Sequence, residues 1–133
     1  MIFGFDIISD LGLVKDSVFD WEGKPTSLFC IIAGNLSDDI FTVSRTLQHL
    51  SKHYQGVFYI DGGLENTDLN SREDTIDSIG HLTGRIGNVV YLHNNVVVVD
   101  GIAIIGINGW YKNYESATTA DEFDLQANFF DDM

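Results

Sequence analysis

The stretch LFCIIAGNLSDD, residues 28–39, constrains the fold most strongly because it joins a buried strand to a tight turn. Leu28 to Ala33 is an uninterrupted apolar run, Gly34 ends it, and a largely polar segment leads into a helical pattern. Two other stretches, FGFDIISDLG and GVFYIDGGLEN, have the same design. In open α/β sheets, ligands bind at the carboxyl ends of the strands. We therefore expect the three turns to lie together on one edge of a sheet.

The hydrophobic pattern predicts the element order βαβα, followed by a strand, a hairpin and a final helix. Strands are predicted at residues 2–9, 28–33, 57–60 and 89–92, and helices from Ile40 to near Tyr54, from Asn70 or Ser71 to Gly87, and from Thr119 to Phe130. Asp100-Gly101, between the apolar runs 96–99 and 102–107, predicts the hairpin turn. Alternating strands and helices favour a parallel sheet, to which the hairpin adds antiparallel strands. The prediction is a single α/β domain over residues 1–133 with a mixed, largely parallel sheet.

The charge of the chain limits its partners. Of its 133 residues 20 are acidic and 7 are basic, which gives a net charge of −13. A field of that sign repels nucleic-acid phosphates and anionic membranes, so neither is expected as a direct partner. Two interpretations stay open, because strong acidity serves solubility and also attracts a basic partner.

The single cysteine, Cys30, lies inside the apolar strand and is expected to be a core residue, because burial raises the pKa of a thiol. One cysteine allows no disulfide within the chain, which suits a reducing compartment. No apolar run approaches the roughly 20 residues of a membrane span. The stretch MIFGFDIISD lacks the basic start and cleavage site of a signal peptide. We therefore expect a cytoplasmic protein.

The order of strand ends, turns and hairpin resembles the amino-terminal half of the calcineurin-like metallophosphoesterases. That family carries D-x-H, then G-D-x-x-D, then G-N-H-E, each at the end of a strand, and the matching stretches here are ISDLGL, AGNLSDD and IDGGLEN. The later YLHNNVVVVDGIAIIGINGW is similar to the segment that follows G-N-H-E in the family. The resemblance covers roughly residues 1–112. It implies half of an αββα sandwich whose strand ends would hold a two-metal phosphoesterase site.

The ligand positions depart from the family pattern. The resemblance assigns the first metal-binding Asp to Asp10, but the adjoining His position is Gly12 and the bridging Asp position is Asn35. The positions of the metal-binding Asn and the general-acid His are Gly63 and Leu64. Two-metal hydrolysis needs an anionic bridge between the cations, which a neutral amide does not provide. We interpret Asp10 and Asn35 as vestigial positions and expect no catalytic residue, metal or cofactor.

The other candidate sets of metal ligands in the sequence are incomplete. His49 and His53 have the i, i+4 spacing of two ligands on a helix, but no third ligand accompanies them, so an exposed helix face is the favoured interpretation. Asp10 and Asp61 would share one sheet edge, which leaves a weak divalent cation site open. No phosphate-binding glycine motif and no nucleophile elbow is present in the sequence.

The leading hypothesis is a truncated, catalytically inactive protein that binds or inhibits a protein partner, by analogy with small acidic regulators of viruses, phages and mobile elements. An acidic face would occupy a basic nucleic-acid-binding surface of that partner, in the host cytoplasm if the chain is viral. Surface that a second half would cover predicts a homodimer or a hetero-complex. The candidate interaction residues are acids and aromatics: Asp38, Asp39, Asp61, Glu65, Trp110, Tyr111 and Tyr114. Two alternatives stay open, namely a residual phosphoesterase, alone or completed by another chain, and a structural component of a larger assembly.

Overall fold

The computed structural model describes residues 2–67 and 71–108, and the chain divides into two units, Met1–Tyr91 and Leu92–Met133. The first unit contains strands β1 (Ile2–Ile8), β2 (Ser27–Ala33), β3 (Gly56–Ile60) and β4 (Val89–Tyr91), helices α1 (Ile40–Ser51) and α2 (Arg72–Thr83), and a short 3-10 turn (Leu64–Asn66). The second unit contains strands β5 (Asn95–Val99) and β6 (Ile102–Gly106). The single domain expected from the sequence stays a prediction. The final helix predicted at 119–130 lies outside the described residues.

The four strands of the first unit form one sheet in the order β1-β2-β3-β4. All three neighbouring pairs are parallel, with Phe5 opposite Phe29, Cys30 opposite Val57 and Phe58 opposite Val90. The α/β fold with a largely parallel sheet, flanking helices and a hairpin is thereby confirmed.

The hairpin corrects the prediction that the sheet is mixed. In the described part of the chain, β5 and β6 pair with each other as a separate two-stranded antiparallel sheet, with Val99 opposite Ile102. Asp100 and Gly101 both have positive φ, 52° and 81°, which is the backbone of the tight hairpin turn that the sequence predicts. Turn chemistry fixes the pairing within a hairpin but carries no information about which sheet the hairpin joins.

Both helices begin at capping side chains. Asp39 Oδ2 accepts a hydrogen bond from Thr42 N at 3.0 Å, and Ser71 Oγ accepts one from Asp74 N at 3.1 Å. These bonds satisfy amide groups that the first turn of a helix leaves without partners. Ser71 is therefore the cap among the two residues that the sequence offers.

The helices end earlier than the sequence predicts. α1 ends at Ser51 rather than near Tyr54, because the amides of Lys52 and His53 bond three residues back, as in a tight turn. α2 ends at Thr83, and Gly84 rather than Gly87 is its cap. Apolar periodicity continues past both ends, so it locates the buried face better than the last helical residue. Neither helix is long and apolar enough to cross a membrane.

One face of the sheet packs against the helices and forms the core. Alternate strand residues and the apolar face of α1 meet there, and most of them are completely buried: Ile8, Cys30, Ile32, Val57, Tyr59, Val43, Leu47 and Leu50. Burial raises the pKa of the Cys30 thiol to about 12, so this cysteine is a neutral core residue, as the sequence predicts.

The opposite face of the sheet carries a continuous apolar surface, which we call the apolar strip. It consists of Phe3, Phe5 and Ile7 from β1, Phe29, Ile31 and Ala33 from β2, and Phe58 from β3. Its rings are in contact: the centroids of Phe5 and Phe29 lie 5.8 Å apart, and those of Phe29 and Phe58 lie 6.0 Å apart. Phe58 is 3% exposed, but Phe3 is 37% and Ile7 is 72% exposed. The strip is therefore open on the β1 side.

A hydrogen-bonded cluster around Asp6 attaches β1 and the loop 9–26 to the rest of the unit. Asp6 accepts hydrogen bonds from Thr26 N at 2.8 Å, from the Thr26 hydroxyl, and from Tyr54 Oη at 2.7 Å. Tyr54 in turn accepts a bond from Trp21 Nε1 at 2.9 Å, and Trp21 N donates to His49 Nε2 at 2.8 Å. Burial opposes ionisation of Asp6, but these donors outweigh it and lower the pKa of Asp6 to about 2.

The lowered pKa of Asp6 predicts an acid-sensitive component of stability. Its contribution is complete above the ordinary value of 3.8 and is lost as the pH falls through about 2. We expect the free energy of unfolding of the wild type to fall more steeply between pH 4 and pH 2 than that of Asp6→Asn, as measured by urea denaturation at each pH. Asp77→Asn, at an exposed position of α2, is the control and should follow the wild type. Equal pH dependence of Asp6→Asn and wild type would contradict this account.

Candidate functional site

The three strand-end turns lie together on one edge of the sheet, as the sequence predicts, and we call this the carboxyl edge. It consists of residues 10–13 after β1, 34–36 after β2 and 61–63 after β3. The first two turns continue the parallel pairing of their strands, because Asp10 N and Gly12 N donate to the carbonyls of Gly34 and Asn35, both at 3.0 Å. Leu13 N donates to the Leu36 carbonyl at 2.7 Å. Backbone hydrogen bonds therefore fix the positions of the side chains on this edge.

The turns after β2 and β3 are in contact at glycines. A Cβ atom at Gly62 would lie 2.5 Å from Asn35 Oδ1, and one at Gly34 would lie 3.0 Å from Gly62 N. Gly34 has φ of 79°, and the non-glycine residues Asp10 and Asn35 also have positive φ, 58° and 59°. Left-handed backbone at residues other than glycine occurs only where surrounding contacts hold it. Here those contacts come from the side chains on the edge.

Asn35 links all three turns through its side-chain amide. Its Nδ2 donates to Asp10 Oδ1 at 2.8 Å, and its Oδ1 accepts from Leu64 N at 3.0 Å. An amide has both a donor and an acceptor, so it binds a carboxylate on one side and a backbone N–H on the other. A carboxylate at this position would face Asp10 with the same charge.

Glu65 is the buried acceptor beneath these turns. Its Oε1 accepts from Asn35 N at 3.0 Å and Gly62 N at 3.2 Å, and its Oε2 accepts from Leu36 N at 3.3 Å and Tyr59 Oη at 2.5 Å. Burial raises the pKa of Glu65, while these donors oppose the rise. Burial and the nearby Glu65 charge also raise the pKa of Tyr59, which keeps its hydroxyl a donor. Glu65 thus holds the turns after β2 and β3 together.

Asp61, a candidate interaction residue, is also buried. Its carboxylate pairs with Arg72 and accepts hydrogen bonds from Asn66 Nδ2 at 3.0 Å and from Tyr91 Oη at 2.8 Å. Burial alone would raise the pKa of Asp61, but the Arg72 charge and these donors lower it. A buried ion pair needs such additional hydrogen bonds to offset its loss of solvation.

The weak cation site considered from the sequence would have used Asp10 and Asp61. The structure gives these two carboxylates separate partners, since Asp10 is exposed and bound by Asn35 whereas Asp61 is buried and bound by Arg72. Within residues 2–67 and 71–108, no three His, Cys, Asp or Glu side chains form a group suited to a metal ion. The residues at the carboxyl edge do not fit the two-metal group that the resemblance implies, because Asn35 offers no anionic bridge and Gly12, Gly63 and Leu64 offer no side-chain ligand.

Further carboxylates lie on the carboxyl edge or follow it, at or near the starts of the two helices. Asp10 and Asp38 are exposed, Asp39 caps α1, and Glu73 and Asp74 occupy the first turn of α2. Acidic side chains at helix amino termini also stabilise the helices. Trp110, Tyr111 and Tyr114, the aromatic candidates, lie outside the described residues.

His49 and His53 contact each other, and His49 also contacts the loop 9–26. The rings of His49 and His53 lie 4.8 Å apart, edge to face, and His49 Nε2 accepts the hydrogen bond from Trp21 N. That bond uses the ring nitrogen as an acceptor for the loop 9–26. Both histidines are half-buried, so the pair is not the exposed helix face that the sequence favours, and His49 instead attaches the loop 9–26 to α1.

Sequence reasoning missed the partners of the buried acids, namely Arg72, Asn66, Tyr59 and Tyr91. A signal was present for Arg72, because a cation in the first turn of a helix opposes the helix dipole and needs a compensating anion. Tyr59 and Tyr91 are indistinguishable from ordinary strand aromatics until the neighbouring strands are paired.

The sequence of this chain is similar to that of a viral protein. The chain is similar to the uncharacterized protein L509 of Acanthamoeba polyphaga mimivirus, with 22% identity over 107 residues. The match covers 76% of this chain and 38% of the viral protein, so the chain spans less than two-fifths of the length of that relative. No protein-family model matches the chain, and no solved structure matches it.

Replacing Asn35 tests its bridging role. We expect Asn35→Asp to destabilise the fold by about 1 kcal/mol, because the donor to Asp10 is lost and two carboxylates then face each other at a partly exposed site. The double variant Asn35→Asp with Asp10→Asn restores a donor opposite an acceptor and should recover most of that loss. Urea denaturation of the four proteins gives the coupling energy. Additive effects of the two substitutions would contradict the bridge.

Glu65→Gln tests the buried acceptor. In this variant an NH2 group replaces one carboxylate oxygen, so donors face donors and some backbone N–H groups lose their acceptor. We therefore expect a loss of about 2 to 3 kcal/mol in the free energy of unfolding, measured by thermal or urea denaturation. Glu73→Gln, at an exposed position of α2, is the matched control and should change stability by less than about 0.5 kcal/mol. A similar small change in both variants would show that Glu65 does not hold the turns.

Proposed function

We propose that this chain is a catalytically inactive relative of the calcineurin-like metallophosphoesterases that works as an acidic protein-binding module. The observation that carries the proposal is the Asn35 bridge, in which an amide occupies the position of the bridging carboxylate, donates to Asp10 and accepts from the Leu64 amide. Two-metal chemistry requires an anionic group with two oxygens at this position. In this chain the one side-chain oxygen of Asn35 accepts from Leu64 N, and its nitrogen donates to Asp10.

The surface around the bridge supports binding rather than chemistry. Both buried acids are neutralised or hydrogen-bonded inside the unit, whereas Asp10, Asp38, Glu73 and Asp74 remain exposed around the carboxyl edge. Rigid turns that display several carboxylates present a fixed pattern of negative charge. Such a pattern attracts a basic surface over longer distances than a hydrogen bond acts.

The proposed partner is a protein with a basic surface that binds nucleic acid. The net charge of −13 lets the chain compete with phosphates for that surface, and inhibition would follow from occupancy alone. Because association of this kind depends on charge, it should weaken as the ionic strength rises.

Replacing single acidic residues by lysine tests this proposal. Partner proteins are recovered from native host lysate on the immobilised chain, identified by mass spectrometry and purified. We expect Asp38→Lys, two residues beyond the carboxyl edge, to weaken binding of the purified partner about tenfold, measured by biolayer interferometry at physiological salt. Wild type, but not Asp38→Lys, should displace duplex DNA from that partner.

Glu22→Lys is the matched control, since Glu22 is equally exposed but follows Trp21, which is bound to the last turn of α1 at the other end of the sheet. Equal weakening by Glu22→Lys and Asp38→Lys would contradict a role for the carboxyl edge. Mn²⁺-dependent hydrolysis of a generic phosphodiester that Asp10→Ala abolishes would overturn the non-enzymatic proposal and favour the phosphoesterase alternative.

A further inference from the structure

His49 accepts a hydrogen bond that exists only while its ring is neutral. Trp21 N lies 2.8 Å from His49 Nε2, and a backbone amide nitrogen acts only as a donor. His49 Nε2 is therefore unprotonated, and its lone pair faces the loop 9–26. An imidazolium ring has a proton on each nitrogen and accepts no hydrogen bond. Protonation of His49 at Nε2 would consequently place two N–H groups face to face and break this contact between the loop and α1.

The surroundings of His49 also contain a partner for the protonated ring. Asp20 Oδ1 lies 3.8 Å from His49 Nε2, and the His49 side chain is 26% exposed, so the ring exchanges protons with solvent. His53, one turn along α1, has its ring 4.8 Å from that of His49, and a charge on one ring opposes a charge on the other. The sheet and α2 contact α1 through the apolar core cluster. The other charged or titratable groups around the contact are Lys24 over the Trp21 ring, Tyr54 bound to Trp21 Nε1, Asp6 bound to Tyr54, and Arg45 one turn before His49.

We propose that His49 is a pH-sensitive latch for the loop 9–26. At neutral pH and above, the neutral ring accepts the hydrogen bond from Trp21 N and holds the middle of the loop on α1. As the pH falls through the range in which histidine side chains titrate, Nε2 takes a proton from solvent and becomes a donor. The protonated ring then pairs with the Asp20 carboxylate, and the Trp21 amide is released to water.

The latch matters because other contacts between this part of the loop and α1 are weak. Asp16 N donates to Thr42 Oγ1 at 3.2 Å, and Arg45 pairs with Asp16 at 3.5 Å through side chains that are 53% and 74% exposed. The Asp20 side chain is 73% exposed, so its pair with protonated His49 also holds the loop weakly. Residues 14–20 therefore open more often at acid pH. They include four of the residues that line a groove of about 350 Å³, namely Asp16, Ser17, Val18 and Phe19, together with Arg45 and Thr46 of α1.

An NMR titration of the full chain tests the latch. In proton–nitrogen correlation spectra recorded from about pH 8 to about pH 5, the Trp21 backbone amide proton of the wild type should move upfield as it exchanges the imidazole for water. His49→Gln supplies a carbonyl acceptor that does not titrate, so the Trp21 amide should lose this pH dependence. Asp20→Asn removes the charge that favours the imidazolium form and should move the transition to lower pH by about half a pH unit, which gives a second result if His49→Gln does not fold.

Limited proteolysis measures the opening of the loop. Proteinase K should cleave residues 14–20 of the wild type as fast as those of His49→Gln at about pH 8, and at least about threefold faster at about pH 5, with the products identified by mass spectrometry. His81→Gln is the matched control, because it makes the same replacement at an exposed position of α2 and should keep the wild-type pH dependence. The proposal is overturned by a Trp21 amide that does not titrate in the wild type or still titrates in His49→Gln, and equally by a cleavage ratio that is the same at both pH values.

Discussion

The carboxylate of Glu65 is the interaction on which the carboxyl edge depends. One side chain, supplied by the 3-10 turn after β3, accepts bonds from two backbone amides after β2, from one after β3, and from the Tyr59 hydroxyl within β3. Without such an acceptor, buried amides in tight turns would have no partner at all, and each would cost about 1 to 3 kcal/mol. The left-handed backbone at Asn35 and the close approach of Gly62 are possible because this carboxylate compensates for both.

Two other carboxylates in the same region also have partners within the chain. Asp61 forms an ion pair with Arg72 and accepts hydrogen bonds from two uncharged donors, and Asp10 accepts a hydrogen bond from the Asn35 amide. In each case a carboxylate that would otherwise attract a cation is bound by a group from the chain itself. The carboxylates Asp10 and Asp61 at these strand ends thus have partners within the chain, which is the physical basis for proposing a binding role.

Local signals in the sequence predicted the elements well, whereas long-range partners were not predictable. The apolar run 28–33, the caps Asp39 and Ser71, and the Asp-Gly hairpin turn each depend on neighbours a few residues away, and each was found at or near its predicted place. The roles of Asp61 and Glu65 depend on residues from other strands and from α2, so the sequence suggested two surface acids where the structure has two buried ones. The separate sheet of β5 and β6 escaped prediction for the same reason.

The Asp6 cluster makes the position of β1 depend on residues far along the chain. β1 precedes both of its anchors along the chain: its pairing partner β2 lies 24 residues further on, from Phe5 to Phe29, and the Tyr54 hydroxyl lies 48 residues beyond Asp6. Parallel pairing across such separations requires loop closure before any contact is gained, and it is intrinsically slow. The position of β1 therefore depends both on its pairing with β2 and on the contact of Asp6 with Tyr54. In native-state hydrogen exchange, β1 would lose protection whenever either of these distant partners opens.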